Sequence, residues 1–229
     1  MPHSSSSRSD VTGVVPVQVE LLERDAPARG EVEAFIHAHY ATAYGADVRH
    51  FLPHLMVLRG DNQELLAALG FCSAYRSPLF LERYLNDSVE AALSGKLRRA
   101  LVRSGLVEVG NLVTAHAGGA RWLIAALTAY LQAVGSDWAV FTAVRELRNA
   151  FARLGVGLVP LARADGERLH PDERGQWGEY YRADPMVVAA SVPQSFAALE
   201  HFFDFELDRY CIKPIWTGAY EACATMRAA

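Results

Sequence analysis

Cysteine is scarce: the 229 residues include 3, Cys72, Cys211 and Cys223, an odd set with no C-x-x-C pair. A scaffold of paired disulfides is therefore excluded, and a reducing, cytoplasmic setting is expected. Charge of one sign is also missing, since 22 Lys and Arg stand against 26 Asp and Glu for a formal charge of -4. With no dense basic run, nothing draws nucleic acid to the chain, and an anionic ligand needs a local site. The longest uncharged apolar stretch of helical character, Trp122 to Ser136, falls short of the roughly 20 residues a bilayer span requires. It is expected as a buried core helix, so no integral membrane segment is expected. Repeats, low-complexity linkers and a G-x-S-x-G nucleophile elbow are likewise missing. The Ser-rich start reads as a disordered tail over residues 1–13, with no apolar segment behind it to make a secretory signal or an anchor.

What the chain does have is apolar content, 51%, enough for one large core. Apolar alternation over Val14 to Glu23 predicts a first strand. Helical spacing of Val32, Phe35, Ile36, His39, Tyr40 and Ala43 predicts a helix over Glu31 to Tyr44. His54 to Leu58 and Glu64 to Ala74 flank a tight turn and predict a hairpin. Pro78 to Ala92 reads as a short extended piece followed by helix, and the basic, polar stretch Ser94 to Ser104 as an exposed connection. Leu106 to Thr114, LVEVGNLVT, is apolar on both faces and predicts a central strand covered on both sides. After a loop of small residues, a helix places Trp122, Leu123, Ala126, Leu127, Tyr130, Leu131 and Val134 on one stripe and closes at Gly135. Trp138 to Val144 predicts another buried strand and Arg145 to Leu154 another helix, stopped at Gly155. Such a succession implies a parallel crossover unit. Beyond Val159 the pattern loosens into a charged loop (Asp165 to Arg174), an aromatic cluster (Gln176 to Arg182) and an amphipathic helix (Ser195 to Tyr210).

Three features are candidates for chemistry. In the loop Ala115-His-Ala-Gly-Gly-Ala120, Gly118 and Gly119 let the backbone approach a ligand, and the helix start offers free N–H groups to phosphate oxygens. A tight turn of small residues, made for packing alone, is the competing reading. Glu108 is a carboxylate in an otherwise apolar strand, where desolvation raises the pKa and suits a general base. Its competing reading is an ion pair with one of the many Arg residues that only fixes the sheet. Asn111 has the opposite parity in a regular strand, unless Gly110 marks a bulge. The third is the segment RELRNAFARLG, an amphipathic helix with Leu147, Phe151 and Leu154 inward. The histidine pairs His37/His39 and His50/His54 do not converge, so no metal is expected.

The segments VEVGNLV (Val107 to Val113), PLFLERYL (Pro78 to Leu85), FTAVRELRNAFARLG (Phe141 to Gly155) and WGEYY (Trp177 to Tyr181) with Asp184-Pro185 together resemble the bacterial thermostable hemolysin family. That family is similar to the GNAT superfamily, especially the acyl-homoserine-lactone synthases. The resemblance implies an α/β fold with a GNAT-like mixed, splayed central sheet of six or seven strands and helices on both faces. It would occupy residues 14–190, with 191–229 as a helical C-terminal extension packed on it. It also implies transfer of an acyl group from acyl-CoA or an acyl-carrier protein (acyl-phosphopantetheine) to an amine or hydroxyl of a small-molecule acceptor. Glu108 matches the synthases' strand Glu, while Asn111 stands where they carry Arg. N–H groups near Leu112, Val113 and Thr114 would polarise the thioester carbonyl. The helix start at Gly118, Gly119 and Ala120 would hold the pantetheine or pyrophosphate, and Asn149 and Phe151 would line the donor channel. The acceptor is expected at Phe35, Tyr40, Tyr44 and Arg49. The family name implies lysis of red cells, and a membrane-active cytolysin is the alternative expectation, although no membrane-active device is visible in the sequence; a module that binds CoA or carrier protein without catalysis is a third.

Overall fold

Apolar alternation on both sides of LVEVGNLVT puts that segment at the middle of a seven-stranded sheet. The computed structural model describes residues 18–75, 78–116 and 118–206; the expectations for residues 1–13 and for the extension beyond 206 lie outside them. In chain order come β1 (Gln18–Leu22), α1 (Arg29–Tyr44), β2 (His54–Arg59), β3 (Leu65–Ser73), α2 (Val89–Leu97) and β4 (Leu106–Thr114). Then follow α3 (Ala120–Val134), β5 (Trp138–Ala143), α4 (Arg145–Arg153), β6 (Val159–Arg163), α5 (Pro171–Gln176), β7 (Met186–Ser191) and α6 (Val192–Glu206). The strand order is β1-β2-β3-β4-β5-β7-β6. Every neighbouring pair is antiparallel except β4 and β5, joined by the crossover helix α3.

Strand alternation assigns the two faces. Met56, Leu69, Val107, Phe141 and Val188 meet α3, α4 and α6 in one core cluster. Leu106, Trp138, Val140 and Val187 meet α2 and the 3-10 turn Phe80–Tyr84 in a second, while Leu55, Val57 and Ala68 meet Val32 and Ile36 of α1 in a third. The α3 helix is buried at every position from Trp122 to Leu131, not on one stripe as expected. It lies between the sheet and α6, so its outer side is covered as well. Each Leu it buries contributes about 1.5–3 kcal/mol.

Several local expectations are corrected. β6 carries Pro160 and an irregular burial pattern, and the small residues of β7, Met-Val-Val-Ala-Ala-Ser, give no alternation because both its faces are covered. Neither strand was located from the sequence. Phe80–Tyr84 is a 3-10 turn rather than an extended piece. The helix α2 runs on to Leu97 with Leu93 buried, so the exposed connection starts later, at Arg98 in the left-handed region. Within the charged loop sits α5, with Pro171 in its first turn and Asp172 and Glu173 at its positive end.

The turn after α5 docks on the end of α1. Asp47 N–H donates to Gln176 O at 2.7 Å and Glu179 N–H to Tyr44 O at 2.8 Å. Between them Gly178 has φ 52°, and a Cβ there would lie 2.2 Å from Tyr44 O. Gly178→Ala is therefore expected to cost about 1–3 kcal/mol in backbone conformation alone, before the docking is displaced. Thermal unfolding checks this, with Tm falling roughly 2–4 °C per kcal/mol.

Candidate active site

β4 and β5 pair only from Leu106↔Trp138 to Val109↔Phe141. Past that point the strands separate, because β4 contains a bulge: Gly70 of β3 faces Gly110, while Ala68 faces Val113. Two steps along β3 thus match three along β4. Asn111 absorbs the extra residue with φ 52°, a conformation Asn tolerates better than most side chains. The bulge reverses the parity of the strand, so Leu112 packs toward α3 and Val113 toward α1. From Gly110 to Thr114 the backbone has β3 on one edge and no strand on the edge toward β5.

A cavity of about 940 Å³ opens in that gap and reaches both faces of the sheet. On the α1 face its wall is aromatic: Tyr40, Tyr44, Phe80, Tyr84, Trp177 and Tyr180. Ring centroids stand 5.2 Å apart for Tyr44 and Tyr180, 5.3 Å for Trp177 and Tyr180, and 5.7 Å for Phe80 and Trp177. Burial drives the Tyr40 and Tyr180 phenols above the usual tyrosine range, so they stay neutral and serve as polar rims on apolar rings. Tyr180 donates to Thr142 Oγ1 at 3.3 Å, fixing it to β5. On the opposite face the cavity is an apolar channel between α3, α4 and α6, with Ile124, Leu127, Leu131, Phe151, Leu154 and Val192. Phe151 stacks on Phe141 with centroids 4.9 Å apart.

Glu108 is 5% exposed and lines the cavity. Among the described residues no guanidinium pairs with it. Instead Phe80 N–H donates to its Oε2 and Leu81 N–H to its Oε1, both at 2.9 Å, so the carboxylate caps the start of the 3-10 turn. Burial raises its pKa, and the two amides pull partly the other way. Cys72 lies 3.9 Å from Oε2. Burial first, and the Glu108 charge second, push that thiol up to about 12, so it is no nucleophile at neutral pH. Glu82, inside the turn, closes its start and ties it to α2: it accepts from Leu79 N–H at 2.8 Å and Val89 N–H at 2.9 Å and pairs with Arg103 at 2.6 Å. Asn111 is engaged structurally: its Oδ1 accepts from Leu52 N–H at 3.0 Å and its Nδ2 donates to His50 O at 3.2 Å. Arg29 holds the same loop through Pro53 O at 2.7 Å and Leu52 O at 2.8 Å. His50, Phe51 and Leu52 thereby reach the cavity.

Of the residues read from the sequence, Glu108, Asn111, Leu112, Val113, Thr114, Gly118, Ala120, Phe151, Tyr40 and Tyr44 line this one cavity. Four do not. The Gly119 amide is taken by His116 O at 3.1 Å, which tightens the turn before α3. Asn149 is exposed, because α4 turns Leu147, Ala150, Phe151 and Leu154 inward and leaves Asn149 outside. Arg49 is exposed and paired with Asp47 at 2.8 Å. Phe35 packs on His39, 4.2 Å between centroids, behind the cavity wall. Phe80, Tyr84, Trp177 and Tyr180 were missed as wall residues, although the QWGEYYR cluster was the signal for the last two. Among the described residues no group of three His, Cys, Asp or Glu side chains converges as metal ligands.

A mixed sheet splayed beside a bulged central strand, with a helix starting at the mouth of the gap, is the GNAT-like fold. The chain belongs to the thermostable hemolysin family, whose model matches residues 22–196. Solved structures like it include TofI in a ternary complex with an inhibitor and MTA, at TM-score 0.55 and 16% identity over 80% of this chain and 96% of that one. The CoA-dependent acyl-homoserine lactone synthase BjaI, with SAM and isopentyl-CoA, matches at TM-score 0.54 and 11% identity over 82% and 89%. The AHL synthase LasI matches at TM-score 0.52 and 14% identity over 76% and 89%. No curated protein matches the chain by sequence.

Two outcomes are expected. Glu108→Gln must turn one NH2 group toward a backbone N–H, so it should lower stability by about 1–3 kcal/mol, measured by denaturant unfolding. Glu82 is held down to about 2 by Arg103, with burial opposing. Its contribution is full above the unfolded value of 4.5 and lost as pH falls toward 2. After allowance for solvent screening the loss is about 1–2 kcal/mol, and Glu82→Gln should flatten that part of the stability profile.

Proposed function

We propose that this chain is an acyltransferase, moving an acyl group from a thioester (acyl-CoA or an acyl-carrier protein) to an amine or hydroxyl of a small molecule in the cytoplasm. The observation that carries the reading is the gap between β4 and β5, which joins an aromatic pocket on one face to an apolar channel on the other. An acyl-transfer site needs such a passage, because the acceptor must reach the carbonyl carbon across the plane of the thioester while the acyl chain needs its own room within that plane. Gly118 and Ala120 line the cavity at the N-terminal end of α3, and this reading assigns them to a phosphate or pantetheine oxygen. The likeness to BjaI, a CoA-dependent synthase, supports a CoA thioester as donor.

In this reading the carbonyl sits against the β5 edge of Leu112 to Thr114, where backbone N–H groups without a strand partner stabilise the developing oxyanion. The acceptor, held against Tyr40, Trp177 and Tyr180, attacks the carbonyl carbon. A C–N or C–O bond forms and the C–S bond breaks. The departing sulfur takes up a proton, and the acceptor loses one to Glu108 directly or through water. Oε2 accepts from Phe80 N–H and weakly from the Cys72 thiol, whereas Oε1 keeps a lone pair beyond its Leu81 amide contact, and the raised pKa of Glu108 suits that transfer. Asn111 acts by holding the loop of His50 to Leu52.

The full engagement of Glu108 by two amides favours a second reading, a module that binds the thioester without turning it over. Thiol release decides between them. Wild-type protein with acyl-CoA and a panel of amines should liberate free thiol, and Glu108→Gln should lower the rate by about a hundredfold or more at a temperature where both remain folded. Equal rates would remove Glu108 from the chemistry, and CoA binding without thiol release would establish the module. Among the described residues no helix is long and apolar enough to cross a membrane. Dye-loaded liposomes mixed with the protein alone are expected to stay intact.

A further inference from the structure

The apolar channel contains two hydroxyls that the protein does not use. Thr128 on α3 is 8% exposed and Ser195 on α6 is 5% exposed, and both line the cavity. A helical Thr ordinarily satisfies its hydroxyl on the carbonyl four residues earlier, as Thr42 does with Ala38 O at 2.8 Å. Thr128 makes no such bond, and neither hydroxyl makes a side-chain hydrogen bond among the described residues. The lining contributed by α3 beyond its first turn and by α6 is otherwise apolar, with Ile124, Leu127, Leu131 and Val192, while Glu146 and Arg153 of α4 line the cavity as charged residues. A buried hydroxyl is seldom left without a partner unless a ligand or water supplies one. A bound water settles where it finds 2–4 polar partners, and these hydroxyls alone give it a minimal set.

Position narrows the ligand further. Thr128 lies eight residues beyond Ala120, or about 12 Å along the α3 axis from the mouth. The start of α3 adjoins Thr114, since a Cβ on Gly119 would stand 3.2 Å from Thr114 Cβ, so with the carbonyl at that end of β4 an oxygen meeting Thr128 sits well along the acyl chain.

We propose that the channel selects acyl chains bearing a hydroxyl or keto oxygen in their distal part, recognised by Thr128 and Ser195 as specificity-determining residues. This rests on the acyl-transfer reading for its substrate, and binding tests it without turnover. Calorimetry should show wild-type protein binding 10-hydroxydodecanoate more tightly than dodecanoate or 3-hydroxydodecanoate, by about three- to tenfold for each hydroxyl engaged. Thr128→Val and Ser195→Ala should each reduce that ratio, and together bring it near one. The corresponding CoA thioesters should show the same order in thiol release.

A wild-type protein that binds dodecanoate at least as tightly would overturn the proposal even if a variant fails to fold, and so would a preference that survives in the double variant. Retention of the fatty-acid preference with no thiol release from any thioester would instead sink the transfer reading and support the channel assignment.

Discussion

The architecture depends on one extra residue in β4. If Gly110 to Val113 ran as a regular strand, β5 would continue beside it and the sheet would close. Asn111, at positive φ, bends β4 away after four paired positions, and its amide is then tied to the loop of His50 to Leu52. Space for that loop comes from two glycines: a Cβ on Gly70 would stand 2.9 Å from Leu52 Cβ, and one on Gly110 would stand 3.2 Å from Leu52 Cδ1. Bulge, loop and gap are thus a single packing solution.

The second constraint is a set of carboxylates that tie helix starts to the sheet. Glu108 holds the first amides of the 3-10 turn, Glu82 holds Leu79 and the first amide of α2, and Arg103 bridges Glu82 to Glu90 at 2.6 Å each. Phe80 and Tyr84 face the cavity because the turn between these anchors cannot rotate. Glu108 is thus a building element of the pocket wall, and any substitution there acts first on the turn that its two oxygens hold.

Much of the fold was legible because periodicity reports burial directly. LVEVGNLVT and WAVFTAV declare covered strands, and Gly135 and Gly155 declare helix ends. β6 and β7 were not legible: one is interrupted by Pro160, and the other, apolar on both faces, offers no alternation to read. Residues on β4 and at the start of α3 were found because strand and loop signals coincide there. Asn149 lies outside the cavity because a resemblance transfers a position along the chain, whereas the angle of a helix about its axis is set by its own inward side chains; Arg49, in the loop after α1, is drawn to Asp47 instead. The aromatic wall needed tertiary information, since Phe80 and Trp177 are distant in sequence and meet only after α5 docks on α1.

Only the pairs from Leu106↔Trp138 to Val109↔Phe141 join the four strands on one side of the sheet to the three on the other. Mechanically the molecule is two plates sharing a short seam, and the slot between them widens or narrows with the angle at which they meet. Trp138 and Leu106, which touch no part of the cavity, sit at the end of that seam. Their packing sets the aperture from a distance, much as a hinge pin sets the swing of a door without lying in the doorway.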